Sequence, residues 1–493
     1  MSRINTNVSS LLAQRVLGQQ NRGLVTSLER LSTGLRINRG ADDPAGLIAS
    51  ENLRAEKAAI TSAISNAERA EQVVNVAEGG LEEISNMLVE LQGLIGATAN
   101  EAGVTAEERD ANQLQIDSIL QTIDRVANST EFNGVKLLNG SFDYTTSGAS
   151  VGTTIEDVTV QSARISSTPG AFIGVTVDVD TAAETAGVFL SAESAGTGYD
   201  NGGNGSVTVE ITGAQGVQQF TFASGSSQAS IVSAINTFKD ALGVSAAVAG
   251  SGEQIEIRST TFGSESFVRV KFLEGSTETR LSDTDGVAGT TQDLKTTGID
   301  AIVLINGQQA TTNGLKARVS SDGFDVTVAI DSAAGLNVAG QTASFSITGG
   351  GADFNLSPSV NLAGKVSLGI ETVTTGNLGS AVDGFLSALK SGGTANVVNG
   401  DLTKAQNIVD AAIKQNSSLR GRLGAFSKNT VGSTIRNLGV SLENVAAAES
   451  KIRDTDFALE TAELTRKQIL SQAASQSLTI ANTLPQSVLS LLG

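Results

Sequence analysis

Apolar positions recur every three or four residues over the first 130 or so residues and the last 90. Between these flanks they alternate singly with polar ones. The strongest stretch is Ile60, Ile64, Ala67, Glu71, Val74, Ala77, Leu81, Ile84, Leu88, Leu91 and Ile95. This 3.5-residue seam has one polar member, Glu71, and one slip of three after Val74. It predicts a helix roughly 54 Å long at ~1.5 Å per residue, with a stripe narrow enough to need helical partners along its side. Gly79, Gly80, Gly93 and Gly96 each weaken an isolated helix by about 1 kcal/mol relative to alanine, so packing must hold it.

Residues 1–40 read as one weakly amphipathic helix through Ile4, Val8, Leu11, Leu12, Val16, Leu17, Leu24, Leu28, Leu31 and Leu35, with Gln14 and Asn21 at seam positions. Alone in water such a helix frays. A break follows at 40–44, where Asp43 can cap the next helix and Pro44 suits its first position. The long helix runs on to about Asn100. Thr105 and Glu108 form a capping box for a third helix over 106–127, and Asn133-Gly134 marks a turn.

The texture changes after about Gly140. Residues 141–400 are rich in Gly, Ser and Thr, and short alternating runs at 206–211, 254–257, 266–270 and 324–330 predict half-buried strands. Helices are expected over 228–242 and 379–389. Helical spacing returns near Leu402, with Val431, Ile435, Leu438, Leu442, Val445 and Ile452. A phase shift at 454–456 leads to Ile469, Ala473, Gln476 and Ile480, and the chain ends on an apolar decade containing Leu484, Val488, Leu491 and Leu492. Apolar termini call for a cover.

The fold class is therefore α+β and multidomain. Residues 1–40 and 451–493 would form a terminal helical coiled-coil core, and 41–165 with 395–450 a helical bundle. Residues 166–394 would form a β-rich outer region. Ile60, Ile64, Val74, Leu81, Ile84, Leu88, Leu91, Ile95, Ile435, Leu438, Leu442 and Val445 would line the bundle seam. The apolar residues of the two terminal helices would drive self-assembly, head-to-tail contacts giving an open helical filament. The alternative is that the seams close within one monomer.

Charge sharpens this picture. Residues 141–400 carry 25 Asp/Glu against 11 Lys/Arg, whereas 1–40 carry six Arg and one Glu. An acidic middle argues against a nucleic-acid partner, and arginines spread along a helix without aromatics suit contact with protein. The chain has no His and no Cys. That removes Ser-His-Asp and Cys-His catalysis, thiolate metal sites and H-E-x-x-H zinc sites, and no cofactor is expected. Nothing approaches a membrane span or the apolar core of a cleaved signal peptide.

Several segments resemble one known family. Ile4–Asn7, Leu28–Asn38, Asp42–Gly46 and Phe132–Leu138 at the start, with Leu423–Phe426, Ile452–Ala458 and Leu484–Leu492 at the end, are similar to the two conserved halves of bacterial flagellin. The resemblance implies a non-catalytic, extracellular filament subunit serving motility, exported unfolded by the flagellar type III apparatus. It implies terminal helices that pair on assembly, a solvent-facing insertion, and partners in an export chaperone and the hook-associated junction and cap proteins. A hook–filament junction protein of the same superfamily is the alternative. Residues 205–272 resemble the IN module of flagellar proteins, with a weaker second copy from about 300. An adhesive or glycan-bearing insertion is a further reading. Where flagellins best detected by the vertebrate innate-immune receptor carry Q-R-V-R-E-L-A-V, this chain has Val89 to Gly96. Leu94 is kept, while Glu90, Gln92 and Gly93 replace both arginines and the acid, so weak receptor activation is expected.

Overall fold

The computed structural model describes residues 6–492 apart from 101–102, 149–153, 167, 169, 192–205, 224, 251–253, 275–279, 286, 288–290, 333–336 and 381; for 274 and 484–492 it describes the backbone alone. Ile4 and the side chains of Leu484, Val488, Leu491 and Leu492 lie outside the described residues. The helices are α1 (Val8–Thr33), α2 (Pro44–Thr98), α3 (Ala106–Ser129), α4 (Gln228–Thr237), the single turn α5 (Lys239–Leu242), α6 (Leu402–Ala425), α7 (Gly432–Arg453) and α8 (Phe457–Leu492). The chain packs as two compact units, one of residues 1–72, 355–364 and 425–493, the other of 73–354 and 365–424.

Local chemistry sets the helix ends. Asp43 accepts from the Gly46 amide at 2.9 Å at the start of α2, with Pro44 in the first position. Thr105 and Glu108 close a reciprocal capping box on α3. The helix expected over 1–40 ends at Thr33, because Gly34 turns left-handed at φ +75°.

In α2 the inward residues are Ile60, Ala63, Ala67, Ala70, Val74, Ala77, Leu81, Ile84, Leu88, Leu91 and Ile95, none more than 3% exposed. Their steps alternate three and four without a break. Glu71, expected in the seam, is exposed; Ala70 takes its place, and the slip after Val74 disappears. The seam narrows to small residues between 63 and 77, where helices can approach closely.

In the first unit Ile60 and Ala63 pack with Leu438, flanked by Ile64, Leu442 and Val445. In the second, Asn416 of α6 donates to the Leu81 carbonyl at 3.0 Å from a fully buried position. A Cβ on Gly80 would lie 2.7 Å from Thr130 Oγ1 and 2.8 Å from Leu138 Cδ1, whereas Gly93 faces open space. Gly93→Ala is therefore expected to stabilise by roughly 0.5–1 kcal/mol and Gly80→Ala to destabilise, as read by urea titration of each variant.

The β-rich part builds two separate cores. In the first, the five-stranded antiparallel sheet ordered 308–309, 302–305, 173–181, 341–349, 145–147 faces the four-stranded sheet ordered 311–313, 316–321, 324–330, 155–163. Val177, Val303, Val326, Val328 and Phe345 fill the space between them. In the second, the sheets ordered 281–282, 185–191, 254–262, 244–248 and 293–297, 267–274, 206–212, 217–223 enclose Val188, Val209, Ile257 and Val270 together with Ile231 and Ile235 of α4. Apart from the small hairpin of 131–132 with 135–136, which turns at Asn133-Gly134, strand pairing begins at Thr145, earlier than the expected 166, because 155–163 pairs with 324–330. The helix expected over 379–389 is a two-residue hairpin (379–380 with 384–385) followed by one 3-10 turn. Gly379 at φ +137° and Gly384 at φ +109° cannot be helical.

Tyr144 anchors the start of the first β core, its hydroxyl accepting from the Ala163 amide at 2.9 Å. Burial first, then the neighbouring carboxylate of Glu371, pushes the Asp143 carboxyl above the usual range, although it accepts from the Tyr144 amide at 2.8 Å. A carboxyl that holds its proton more tightly when folded contributes stability below pH ~3.9 that is lost as pH rises through its raised value. Asp143→Asn keeps an acceptor for Tyr144 and removes the charge. It is expected to melt above the parent at pH 7 and level with it below pH ~3.9; equal melting at pH 7 would contradict the burial penalty.

Candidate functional site

The site is the pair made by the two terminal helices, α1 and α8, and the face they leave open. They run antiparallel, as a ladder of polar contacts shows. Asn7 Nδ2 donates to the Ala481 carbonyl at 2.7 Å and Ser10 Oγ to Asn482 Oδ1 at 2.7 Å. Ser471 Oγ donates to Asn21 Oδ1 at 2.8 Å and Lys467 Nζ to Ser27 Oγ at 2.8 Å. Arg30 lies 3.6 Å from the buried Glu460.

At the far end the chain turns between the helices. The Arg36 amide donates to the Arg453 carbonyl at 2.7 Å and the Thr455 amide to the Gly34 carbonyl at 2.9 Å. The Arg36 guanidinium also reaches the Ile452 carbonyl at 2.6 Å. The phase shift at 454–456 is thus a corner: Asp454 ends α7, and Asp456 accepts from the amides of Ala458 and Leu459 to start α8.

Small and polar residues fill the seam: Ser10, Ser27, Glu460, Ala474 and Ala481 are its buried members. The large apolar residues point elsewhere. Val8, Leu11, Leu12, Leu28, Ile469 and Ile480 are between 48% and 68% exposed. Leu12, Val16, Leu470, Ala473, Ala474 and Ile480 line an open groove of about 530 Å³ between the helices. Of the other expected assembly residues, Leu24 and Leu31 are half-buried. Leu35 lies beyond the helix, bridged to Asp454.

The sequence reading missed Val25, Phe457, Leu459 and Leu470, all exposed, and it missed the polar ladder. Asn21, taken as a defect in an apolar stripe, is one of the rungs. Its pairing with Ser471 has no periodic signal, since each residue alone is an ordinary polar position.

The bundle residues Val74, Leu81, Ile84, Leu88, Leu91 and Ile95 are buried. Ile435, Leu442 and Val445 are half-buried and Leu438 is buried. Along α2, Glu90 and Gly93 are exposed, Leu94 is half-buried, and Gln92 donates to Asp410 at 2.8 Å. Among the described residues, no helix is long and apolar enough to cross a membrane.

The helical ends match two family models, the bacterial flagellin N-terminal helical region over residues 4–143 and the bacterial flagellin C-terminal helical region over 406–492. The chain is similar to the flagellin of Salmonella typhimurium LT2, 30% identical over 521 aligned positions covering 99% of both chains. It is similar to flagellin D of Vibrio anguillarum, also 30% identical with 99% of both covered. A solved structure of FliC from Burkholderia pseudomallei is 17% identical and spans 73% of this chain and 99% of its own, with a TM-score of 0.22, too low to carry an argument. With relatives at this identity covering both chains nearly end to end, and both helical flanks matched in order, the chain belongs to the bacterial flagellin family.

Proposed function

We infer that the chain is a non-catalytic structural subunit that polymerises into the extracellular filament of the bacterial flagellum, using the outward apolar face of α1 and α8 as its assembly surface. The observation that carries this reading is the inverted pair: its seam is polar and small, while its large aliphatic side chains face away. Burying several such side chains against neighbouring subunits contributes about 1.5–3 kcal/mol each, enough to hold together helices that are marginal alone.

The layered reading follows from the same logic. Residues 1–40 and 451–493 form the inner layer, 41–144 and 395–450 the middle, and 145–394 the outer region, whose acidic excess suits a solvated surface. Strands 206–212, 217–223, 244–248 and 254–262, which fall in the IN-like segment, belong to the sheets of the second β core. Export proceeds unfolded through the flagellar type III apparatus. A cytoplasmic chaperone covers the apolar C-terminal helix beforehand, and junction and cap proteins bound the polymer at its ends. With neither His nor Cys, the chain lacks the usual nucleophile–base pairs.

Seeded assembly tests the function. The full chain is expected to grow long filaments by sedimentation and negative-stain microscopy, and a core lacking 1–40 and 451–493 none. Equal behaviour of the two would favour the junction-protein alternative. A second expectation concerns recognition by the host. Glu90 and Gln92 stand where the two arginines would be and present no guanidinium, so cells bearing the vertebrate flagellin receptor should respond weakly. A response at the dose of an enterobacterial flagellin would sink that expectation.

A further inference from the structure

From Leu402 to Arg453 the chain stays helical through a wide turn. α6 passes into a π turn at Phe426–Val431 and then into α7, with Ala425 and Gly432 both right-handed helical. The Gly432 amide donates to the Ser427 carbonyl, a reach of five residues.

The inward positions explain the turn. In α6 the buried residues are Ala405, Ile408, Val409, Ala412, Asn416, Leu419 and Leu423, continued by Phe426, and from Val409 onward they step by three and four in alternation. After the turn Val431 and Leu438 are buried and Ile435, Leu442 and Val445 half-buried, again stepping four and three, with Thr434 and Ser441 half-buried beside them. Between Phe426 and Val431 the step is five, where the repeat requires four.

An unbroken α-helix would bring Thr430, Thr434, Asn437, Ser441 and Asn444 to the seam in place of those aliphatics. The phase error is one residue, about 100° of rotation. Hydroxyls just beyond the wide turn bond back to its carbonyls: Ser433 Oγ donates to Asn429 and, at 3.2 Å, to Thr430, while Thr434 Oγ1 donates to Thr430 at 2.7 Å.

We infer that residues 427–430 hold one residue more than the inward repeat requires, and that the π turn both restores the phase of α7 and is a locally deformable joint within the helix. The alternative register is excluded by its polarity, so the turn cannot migrate into α7 without burying hydroxyls and amides. The excess residue is free to leave at this joint and nowhere else in α7.

Two single deletions of exposed asparagines in the full-length chain test this. Deleting Asn429 shortens the step to four and leaves every inward aliphatic in place. Deleting Asn437 turns Leu438, Leu442 and Val445 out of the seam. The Asn429 deletion is expected to melt at or above the parent and to assemble with parental yield, with amide hydrogen exchange at 427–433 slowed about tenfold or more. The Asn437 deletion is expected to melt lower and to lose assembly. If the Asn429 deletion is as damaging as the Asn437 deletion, residues 427–430 hold no excess residue. If it is stable but exchange at 427–433 does not slow, the turn is not a soft joint.

Discussion

Replacing Leu12 and Ile480 together by asparagine is expected to raise the concentration needed for filament growth by at least ~100-fold while leaving the monomer folded. The two side chains line the groove between α1 and α8 and are more than half exposed, so the monomer loses little packing when they change. Buried at an interface, each contributes about 1.5–3 kcal/mol, and every ~1.4 kcal/mol is tenfold in the association equilibrium. The polar ladder from Asn7–Ala481 to Arg30–Glu460 is untouched, which separates loss of assembly from loss of pairing. Sedimentation over a concentration series reads the threshold, and far-UV circular dichroism the fold. A threshold within threefold of the parent's would mean that the apolar face is not the adhesive.

The second large effect lies in the α2 seam, where two adjacent residues should behave oppositely. Leu88 is fully buried and Val89 is 58% exposed. Leu88→Ala leaves a cavity in a seam whose neighbours at Ile84 and Leu91 are also sealed, and should cost about 2–5 kcal/mol. Val89→Ala should stay within roughly 0.5 kcal/mol of the parent. Urea unfolding of the two variants side by side decides it. Similar midpoints would mean that the stripe does not carry the helical part.

Much of this organisation is readable from residues alone, because long regular spacing is a strong signal. The capping box at Thr105, the Asp43–Pro44 start and the Asn133-Gly134 hairpin turn each depend on side chains within a few positions. Asn133 and Gly134 do take positive φ, at 51° and 82°. The errors have equally local causes. Glu71 was placed in the seam because alanines at 63 and 70 carry little hydrophobic weight, yet their small size is what a close helix contact uses. The helix expected over 379–389 failed because composition does not reveal that Gly379 and Gly384 take backbone angles closed to other residues.

The candidate surface was half legible. Leu11, Leu12 and Ile480 stand out as apolar residues on weakly amphipathic helices. Which way they face depends on hydrogen bonds between residues more than 400 positions apart, and no spacing rule encodes those. The π turn belongs to the same class. The five-residue step from Phe426 to Val431 is visible in the sequence, but a step of five reads as a helix end unless the carbonyl partners at Ser433 and Thr434 are known.

The chain contains no cysteine, so a single introduced thiol reports on one position without background. The most direct test of the assembly surface is the labelling rate of Leu12→Cys in monomer and in seeded filaments, with Thr221→Cys in the outer β region as control. Both positions are expected to label fast in the monomer. In the filament, position 12 is expected to be protected at least tenfold, by analogy with local opening equilibria, and position 221 not at all. Equal labelling of position 12 before and after assembly would contradict it, because the face between α1 and α8 would then remain open to solvent in the polymer.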